Sequence, residues 1–286
     1  MPESALVSVV VRTQGIRPRL LAAALGSLTR QTYTQLEIVV VEDGGAAAAH
    51  LVAAAERTRP GALRHMPIEK QGRSAAGNAG LAAARGALLG FLDEDDLLEA
   101  DHISMLAAAL LAQPDVDLAY TRARPLLSEG LSDDTARDTG ELPVEGDVPF
   151  SRTLLWIRNS IPIQAALFRR SLFEQCGGFD TSLDALEDWD LWLRYSCEKD
   201  FLGLDAVTSS YRLPASVSER EARALTHDAA RERLQVKHAN LTGVHRFADV
   251  SALPGVIREQ TSFRDALKRA SAAFGEKVFG ARKPPA

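Results

Sequence analysis

Short apolar runs alternate with helical stripes through the first 125 residues. Residues 7–11, Val7-Ser8-Val9-Val10-Val11, form a nearly continuous β-branched run, the pattern of a strand buried on both faces. After Gly15 and Pro18, apolar residues recur at helical spacing: Leu20, Leu21, Ala24, Leu25 and Leu28. Residues 36–41 repeat the buried-strand pattern and end at Glu42-Asp43-Gly44-Gly45. Further helices are expected over 46–57, 74–85 and 101–113, the last stopped by Pro114. Further strands are expected over 63–67, 87–92 and 118–121. Strands alternating with helices imply right-handed crossovers and a mainly parallel sheet, an α/β fold. Parallel packing then gathers three polar loops at one edge: Arg12-Thr13-Gln14, Glu42-Asp43, and residues 93–96.

Residues 128–149 carry seven acids against one base, Arg137, and few large apolar side chains. They read as a mobile surface loop, with a lid as the sharper alternative. Order returns at Phe150, with a strand over 161–168 and a short helix over 171–176 ending at Gly177-Gly178. Residues 187–194 read as a helix with Trp189, Trp192 and Leu193 on one face, a face that reads as core. Asp190 and Arg194, four apart, are spaced to pair. Tyr211-Arg212 closes another strand-like segment. Ser218 with Glu221 has capping-box spacing for a helix reaching about Ala239. No internal repeats occur.

The chain has 286 residues, 46% hydrophobic and 25% charged, enough for one large α/β domain or two small ones, with a sizeable core. A net charge of −5 argues against a nucleic-acid partner. Cys176 and Cys197 are the only cysteines, without CxxC spacing, so no zinc site is expected. The six histidines are dispersed, and His102 reads as a helix-surface residue. No apolar run reaches about 18 residues, and the amino terminus has no basic leader region. A cytoplasmic protein is expected, with peripheral membrane contact open.

The chemistry concentrates at Asp93-Glu94-Asp95-Asp96, where the greasy run over 87–92 ends in four consecutive acids. Four adjacent carboxylates repel one another and need a cation or full solvation. Asp93 and Asp95, two apart on an extended backbone, point to one side roughly 6–7 Å apart. A hard divalent ion such as Mg²⁺ or Mn²⁺, completed by phosphate oxygens, suits that pair. The alternative is a solvated acidic cap before the helix near Asp101.

Six segments in order resemble the family 2 glycosyltransferases of the GT-A fold. They are Val7 with its strand; Ser27-Leu28-Thr29-Arg30-Gln31-Thr32-Tyr33; residues 36–44; Gly72-Arg73-Ser74-Ala75-Ala76-Gly77-Asn78; Phe91-Leu92-Asp93-Glu94-Asp95-Asp96; and Gly177-Gly178-Phe179-Asp180 with Glu187-Asp188-Trp189-Asp190. Tyr211-Arg212 with Ser216 resembles the closing element. The resemblance implies a catalytic domain over 1–217, with a nucleotide-sugar half over about 1–125 and an acceptor half over 150–217. Residues 218–286 would be a helical extension. It implies donor contacts from Thr13, Asp43, Arg73, Asn78 and Asp93, metal ligation by Asp95 and Asp93, and Asp188 as the catalytic base of an inverting transfer. Glu187 and Asp190 remain alternative bases. The implied cofactor is a divalent cation, the donor a UDP- or dTDP-sugar, and the acceptor a glycan or lipid-linked saccharide.

Two departures stand out. The family usually has Pro-Thr after the first strand, where this chain has Arg12-Thr13. It often has Arg just before the Asn, where this chain has Gly77; Arg73 is placed to supply that charge. Two other classes compete. One is a nucleotide-sugar-binding module without activity. The other is a sugar-phosphate nucleotidyltransferase, which would need a Gly-rich loop that Arg12-Thr13-Gln14-Gly15 does not resemble. Residues 258–283, with seven bases against three acids and an apolar stripe at Phe263, Leu267, Ala270 and Phe274, read either as a membrane-surface helix or as a packed structural helix.

Overall fold

The computed structural model describes residues 4–241 apart from Asp133, Asp184 and Glu198. The stripe and basic residues of 258–283 lie outside the described residues. Strands β1 (Val7–Thr13), β2 (Leu36–Asp43), β3 (Leu63–Ile68) and β4 (Leu88–Asp93) lie in the order β3-β2-β1-β4, all parallel. Helices α1 (Pro18–Thr29), α2 (Ala49–Thr58) and α3 (Arg73–Ala83) make the crossovers. This half matches the sequence expectation closely: β1, β2 and β4 are short, buried apolar runs, and β3, with Arg64 and His65, is the half-buried strand at the end of the sheet.

The register fixes what meets at the strand ends. Arg12 lies opposite Asp93, Thr13 opposite Glu42, and Asp43 opposite Ile68. Alternate residues of β1 serve separate cores on the two faces of the sheet. Val7, Val9 and Val11 pack with Leu21, Leu25, Leu28 and Leu106. Val10 packs with Phe91, Phe168, Trp189 and Trp192.

Beyond β4 the sheet becomes mixed. It continues through β8 (Ala166–Arg169), β6 (Leu118–Glu129), β9 (Leu202–Pro214) and the short β5 (Leu97–Leu98). β8 is antiparallel to both neighbours, β9 runs parallel to β6, and β5 pairs antiparallel with β9. Helices α4 (His102–Ala112), α5 (Arg152–Ile157), α6 (Arg170–Cys176), α7 (Glu187–Tyr195) and α8 (Val217–Lys237) complete the described order.

Four expectations change here. Residues 128–149 are not simply a surface loop: β6 extends to Glu129 and β7 (Arg137–Glu141) pairs antiparallel with it. The acids that suggested solvation find bases or hydroxyls elsewhere. Asp138 meets Arg212 at 2.9 Å, Asp147 meets Arg158 at 2.6 Å, and Glu145 accepts from Tyr211 Oη at 2.6 Å. The strand expected over 161–168 is shorter, because Pro162 starts a 3₁₀ turn over Ile163–Ala165. His102 is not on the surface. It is 1% exposed, with Nδ1 2.7 Å from Thr208 Oγ1, and burial pushes its pKa down to about 3.

The cap of α8 also moves. Ser216 rather than Ser218 is the N-cap, its Oγ accepting from Glu219 N at 3.4 Å. Both serines have an acid three residues on, so the pattern alone does not discriminate. Helix α8 docks on the core around Trp189 and Trp192 through buried Ala230 and Leu234. His238 Nε2 and Lys237 Nζ each lie 2.7 Å from Asp190. Trp189 and Trp192 are core, as their spacing suggested, with indole N–H groups donating to Leu155 O at 2.7 Å and Ile161 O at 2.9 Å. The Asp190–Arg194 pair forms at 3.0 Å.

Candidate active site

The β1 register delivers Arg12 to Asp93, and their side chains bind in a bidentate fork. Arg12 Nε donates to Asp93 Oδ1 at 2.7 Å and Nη2 to Oδ2 at 2.9 Å. The remaining Nη1 donates to Glu187 Oε1 at 3.0 Å, in the first turn of α7. Arg73, in the first turn of α3, binds the same two acids: Nη2 to Asp93 Oδ2 at 2.7 Å and Nε to Glu187 Oε1 at 2.9 Å. Two guanidiniums thus bridge two carboxylates. Burial works against the Asp93 anion, but Arg12 and Arg73 outweigh it and hold its pKa down at about 2.

The two arginines differ in exposure. The side chain of Arg12 is 3% exposed and that of Arg73 is 47% exposed. The Arg12 guanidinium sits 5.2 Å from the ring centre of Phe179 and 5.9 Å from that of Phe91. Gly77 leaves room for this stack. A Cβ there would lie 2.5 Å from the Phe179 ring and 3.5 Å from Arg12 Cδ. The two departures from the family pattern, Arg12 and Gly77, therefore meet in space.

Asp188 follows Glu187 at the start of α7, where the helix dipole favours a carboxylate. Its Oδ2 accepts from Asn159 Nδ2 at 3.0 Å and its Oδ1 from Trp189 N at 2.8 Å. Burial, then the Glu187 charge, raise its pKa to about 6, against the pull of Arg73. Leu186, just before the helix, holds a left-handed φ of 58°. Such backbone costs about 1–3 kcal/mol in a non-glycine residue, so the surrounding packing must enforce it. It aims the first turn of α7 at the arginine bridge.

Asp43 is fully engaged by backbone. Its oxygens accept from Gln71 N at 2.6 Å and Gly72 N at 3.0 Å. Gly72 has φ 93°, which admits glycine readily, and it starts α3 at Arg73. Thr13 Oγ1 donates to Glu94 and accepts from Gly15 N at 2.9 Å. Asn78 ties α3 to the Phe179 backbone, donating to its O at 2.9 Å and accepting from its N at 2.7 Å. Thr13, Asp43, Arg73 and Asp93 gather at the strand ends, whereas Asn78 acts as a brace beside them.

The expected metal pair divides. Asp93 presents both oxygens to guanidiniums, so a cation there would face two positive charges. Asp95 is different. Its Oδ2 accepts from Arg17 Nη1 at 2.9 Å, and its Oδ1 accepts no hydrogen bond among the described residues. Asp96 beside it is 7% exposed, and burial plus the charges of Asp95 and Asp93 raise its pKa well above the carboxylate range. No group of three or more His, Cys, Asp and Glu forms a metal cage among the described residues. An ion of the Mg²⁺ type needs only one or two carboxylates when phosphate oxygens complete its shell. Of the pair, only Asp95 keeps an oxygen open to a divalent cation among the described residues, and Arg17 at 2.9 Å would share that carboxylate with it.

Beside Asp95 opens a pocket of about 320 Å³ lined by Arg17, Arg212 and Arg223 together with residues 130–132. Arg212 pairs with the Asp138 carboxylate, donates Nη1 to the Asp95 backbone O at 2.7 Å, and still lines this pocket. Arg223, exposed on α8, faces Asp96 and Tyr211 electrostatically. Arg17 and Arg223 were not singled out from the sequence, and Glu187 entered only as an alternative base, not as a partner of Arg12 and Arg73. The strand alignment of 7–11 with 88–92 would have paired Arg12 with Asp93. Nothing local marks Arg17 or Arg223.

Acids at parallel strand ends thus lie across an arginine bridge from the carboxylates at a helix start, in a mixed α/β fold. The sequence profile of Glycosyl transferase family 2 matches residues 8–177, and the chain belongs to that family. The O-antigen biosynthesis protein RfbC of Myxococcus xanthus is 30% identical over 195 residues, which span 67% of this chain but only 14% of RfbC. Among solved structures, the 1–349 portion of S. aureus TarS in complex with UDP-GlcNAc aligns with TM-score 0.64 at 18% identity, covering 86% of this chain and 70% of that one. The mannosyltransferase PcManGT from Pyrobaculum calidifontis, in complex with GDP-Man and Mn²⁺, aligns with TM-score 0.59 at 20% identity, covering 82% and 64%. These likenesses establish the GT-A fold.

Proposed function

We propose that this protein transfers a sugar from a UDP- or dTDP-sugar to a hydroxyl of a glycan or lipid-linked saccharide, with inversion at the anomeric carbon. The observation that carries the reading is Asp188, a carboxylate at a helix start with its pKa raised to about 6, next to the bridge that binds Asp93. At neutral pH it is ionised yet basic enough to accept the acceptor hydroxyl's proton. The acceptor oxygen then attacks the anomeric carbon as the bond to the diphosphate breaks. One base opposite the leaving group gives inversion.

The diphosphate gains charge as it leaves. Arg17, Arg212 and Arg223 are placed to meet that charge at the pocket beside Asp95, and the exposed Arg73 is placed to reach the donor. A divalent cation held at Asp95 would supply further stabilisation of the leaving charge. Thr13 and Asp43 would flank the nucleoside. PcManGT with Mn²⁺ and TarS with UDP-GlcNAc support the cation and the nucleotide class, and RfbC supports a glycan acceptor. No helix among the described residues is long and apolar enough to cross a membrane. Work in the cytoplasm, with peripheral membrane contact, suits a nucleotide-sugar donor and a lipid-linked acceptor.

A panel of UDP- and dTDP-sugars against glycan and lipid-linked acceptors, read as nucleoside diphosphate release, tests the reading. Acceptor-dependent release that Asp188→Asn abolishes is expected. Nucleotide binding without release across the panel would overturn the transferase reading.

A further inference from the structure

We propose that Arg12 is a positioning residue for the transfer: it clamps the donor-strand acid Asp93 to Glu187 and so fixes the helix start that carries Asp188. This rests on the reading of Asp188 as the base. Arg12 spends three N–H donors on acids from two distant parts of the chain, β4 and α7. Its side chain is 3% exposed, so it cannot turn outward to a ligand, whereas Arg73 at 47% can. When Arg73 engages a donor phosphate, Arg12 alone keeps Asp93 and Glu187 joined. The residue is held from the other side by Phe179, whose ring fills the space that Gly77 vacates.

The bridge is also electrostatic. Arg12 and Arg73 balance Asp93 and Glu187, and both arginines interact with Asp188. The groups facing Asp188 are Glu187 on its own helix, Asn159, Arg73 from α3 and Arg12 from β1. From α8, His227 interacts with Glu187 and Arg73, and Arg231 lies 5.1 Å from the Trp189 ring centre. Removing the Arg12 cation leaves an uncompensated acid beside the base. Removing the Glu187 anion does the opposite. The two changes should therefore move the base in opposite directions, which a purely structural brace would not do.

Turnover against pH, with donor KM at each point, tests this in wild type, Arg12→Met, Arg12→Lys and Glu187→Gln. Arg12→Met should lower kcat about tenfold or more and move the acidic limb up by about one pH unit, with donor KM little changed. Arg12→Lys keeps the charge but loses the fork, so it should restore the limb and only part of kcat. Glu187→Gln should move the limb down. Limbs at the wild-type position in both Arg12→Met and Glu187→Gln would overturn the proposal. If Arg12→Met does not fold, Arg12→Lys decides: kcat undiminished there would overturn the proposal. Asp188→Asn run in parallel separates the failures. Near-normal turnover there sinks the base assignment itself, whereas an inactive Asp188→Asn with unmoved limbs elsewhere sinks only the role of Arg12.

Discussion

Gly77 lies so close to Phe179 that a Cβ on it would come within 2.5 Å of the aromatic ring. The ring in turn carries the guanidinium of Arg12, 5.2 Å from its centre. A larger residue at position 77 and a buried arginine at position 12 therefore compete for one space. The chain resolves this by keeping Arg12 and giving up the side chain at 77.

Gly77→Ala should overpack this contact and displace Phe179. Overpacking of a filled site typically costs about 1–3 kcal/mol, more than the helix propensity gained over glycine. Urea denaturation should show a lower midpoint with an unchanged slope. A stabilised Gly77→Ala variant would show that the ring yields freely and that the stack on Arg12 is loose.

Asp188→Asn is nearly isosteric and can still accept from Asn159 and Trp189, but it cannot take a proton. Turnover should fall by roughly 10²–10⁴-fold with donor affinity little changed. Near-normal turnover would move the base to another carboxylate.

The wild-type pH–rate profile should have an acidic limb near pH 6, the value to which burial and Glu187 raise Asp188. The base works ionised, so activity should rise with pH through that limb and level off above it. Below it, each pH unit should cost about tenfold. A limb near pH 4 would mean that the active base is a solvated carboxylate.

The sequence made the amino-terminal half legible because most of its strands are short apolar runs ending in polar residues. Residues 7–11, 36–41 and 87–92 read as buried strands, and parallel packing gathers their ends. The half after residue 125 was less legible because its pairings are long-range. Residues 128–149 looked solvated because their acids are partnered by Arg158, Tyr211 and Arg212, distant in sequence. His102 looked like a surface residue because its partner, Thr208, sits on a strand more than a hundred residues on.

The site followed the same division. Asp93 and Asp95 stood out as acids at a strand end, whereas Asp188 was singled out only through the family resemblance. That Asp93 is consumed by two guanidiniums was hidden in the pairing of β1 with β4. Arg12 looked like a defect in a familiar pattern, and its meaning depends on Gly77 and Phe179, which only the fold brings beside it.

The buried His102 predicts a stability effect with a definite sign. Its folded pKa is about 3, below the ordinary value of 6.5. Between those values the unfolded chain takes up a proton that the native state refuses, so stability falls as pH drops below 6.5. Between pH 6.5 and 5 the loss should be about 1–2 kcal/mol. His102→Gln does not titrate and should flatten that part of the curve, measured by urea denaturation at several pH values. An unchanged slope would mean His102 is protonated in the native state.

The central claim is a nucleoside-diphosphate site built on Asp95 and separated from the arginine-bound Asp93. Titration calorimetry of UDP and dTDP with and without Mn²⁺, in wild type and Asp95→Ala, tests it most directly. Saturable wild-type binding of at least one nucleotide, strengthened by Mn²⁺, is predicted, with the Mn²⁺-dependent part absent in Asp95→Ala. Equal wild-type affinity with and without Mn²⁺, or a Mn²⁺ effect that survives Asp95→Ala, would contradict it.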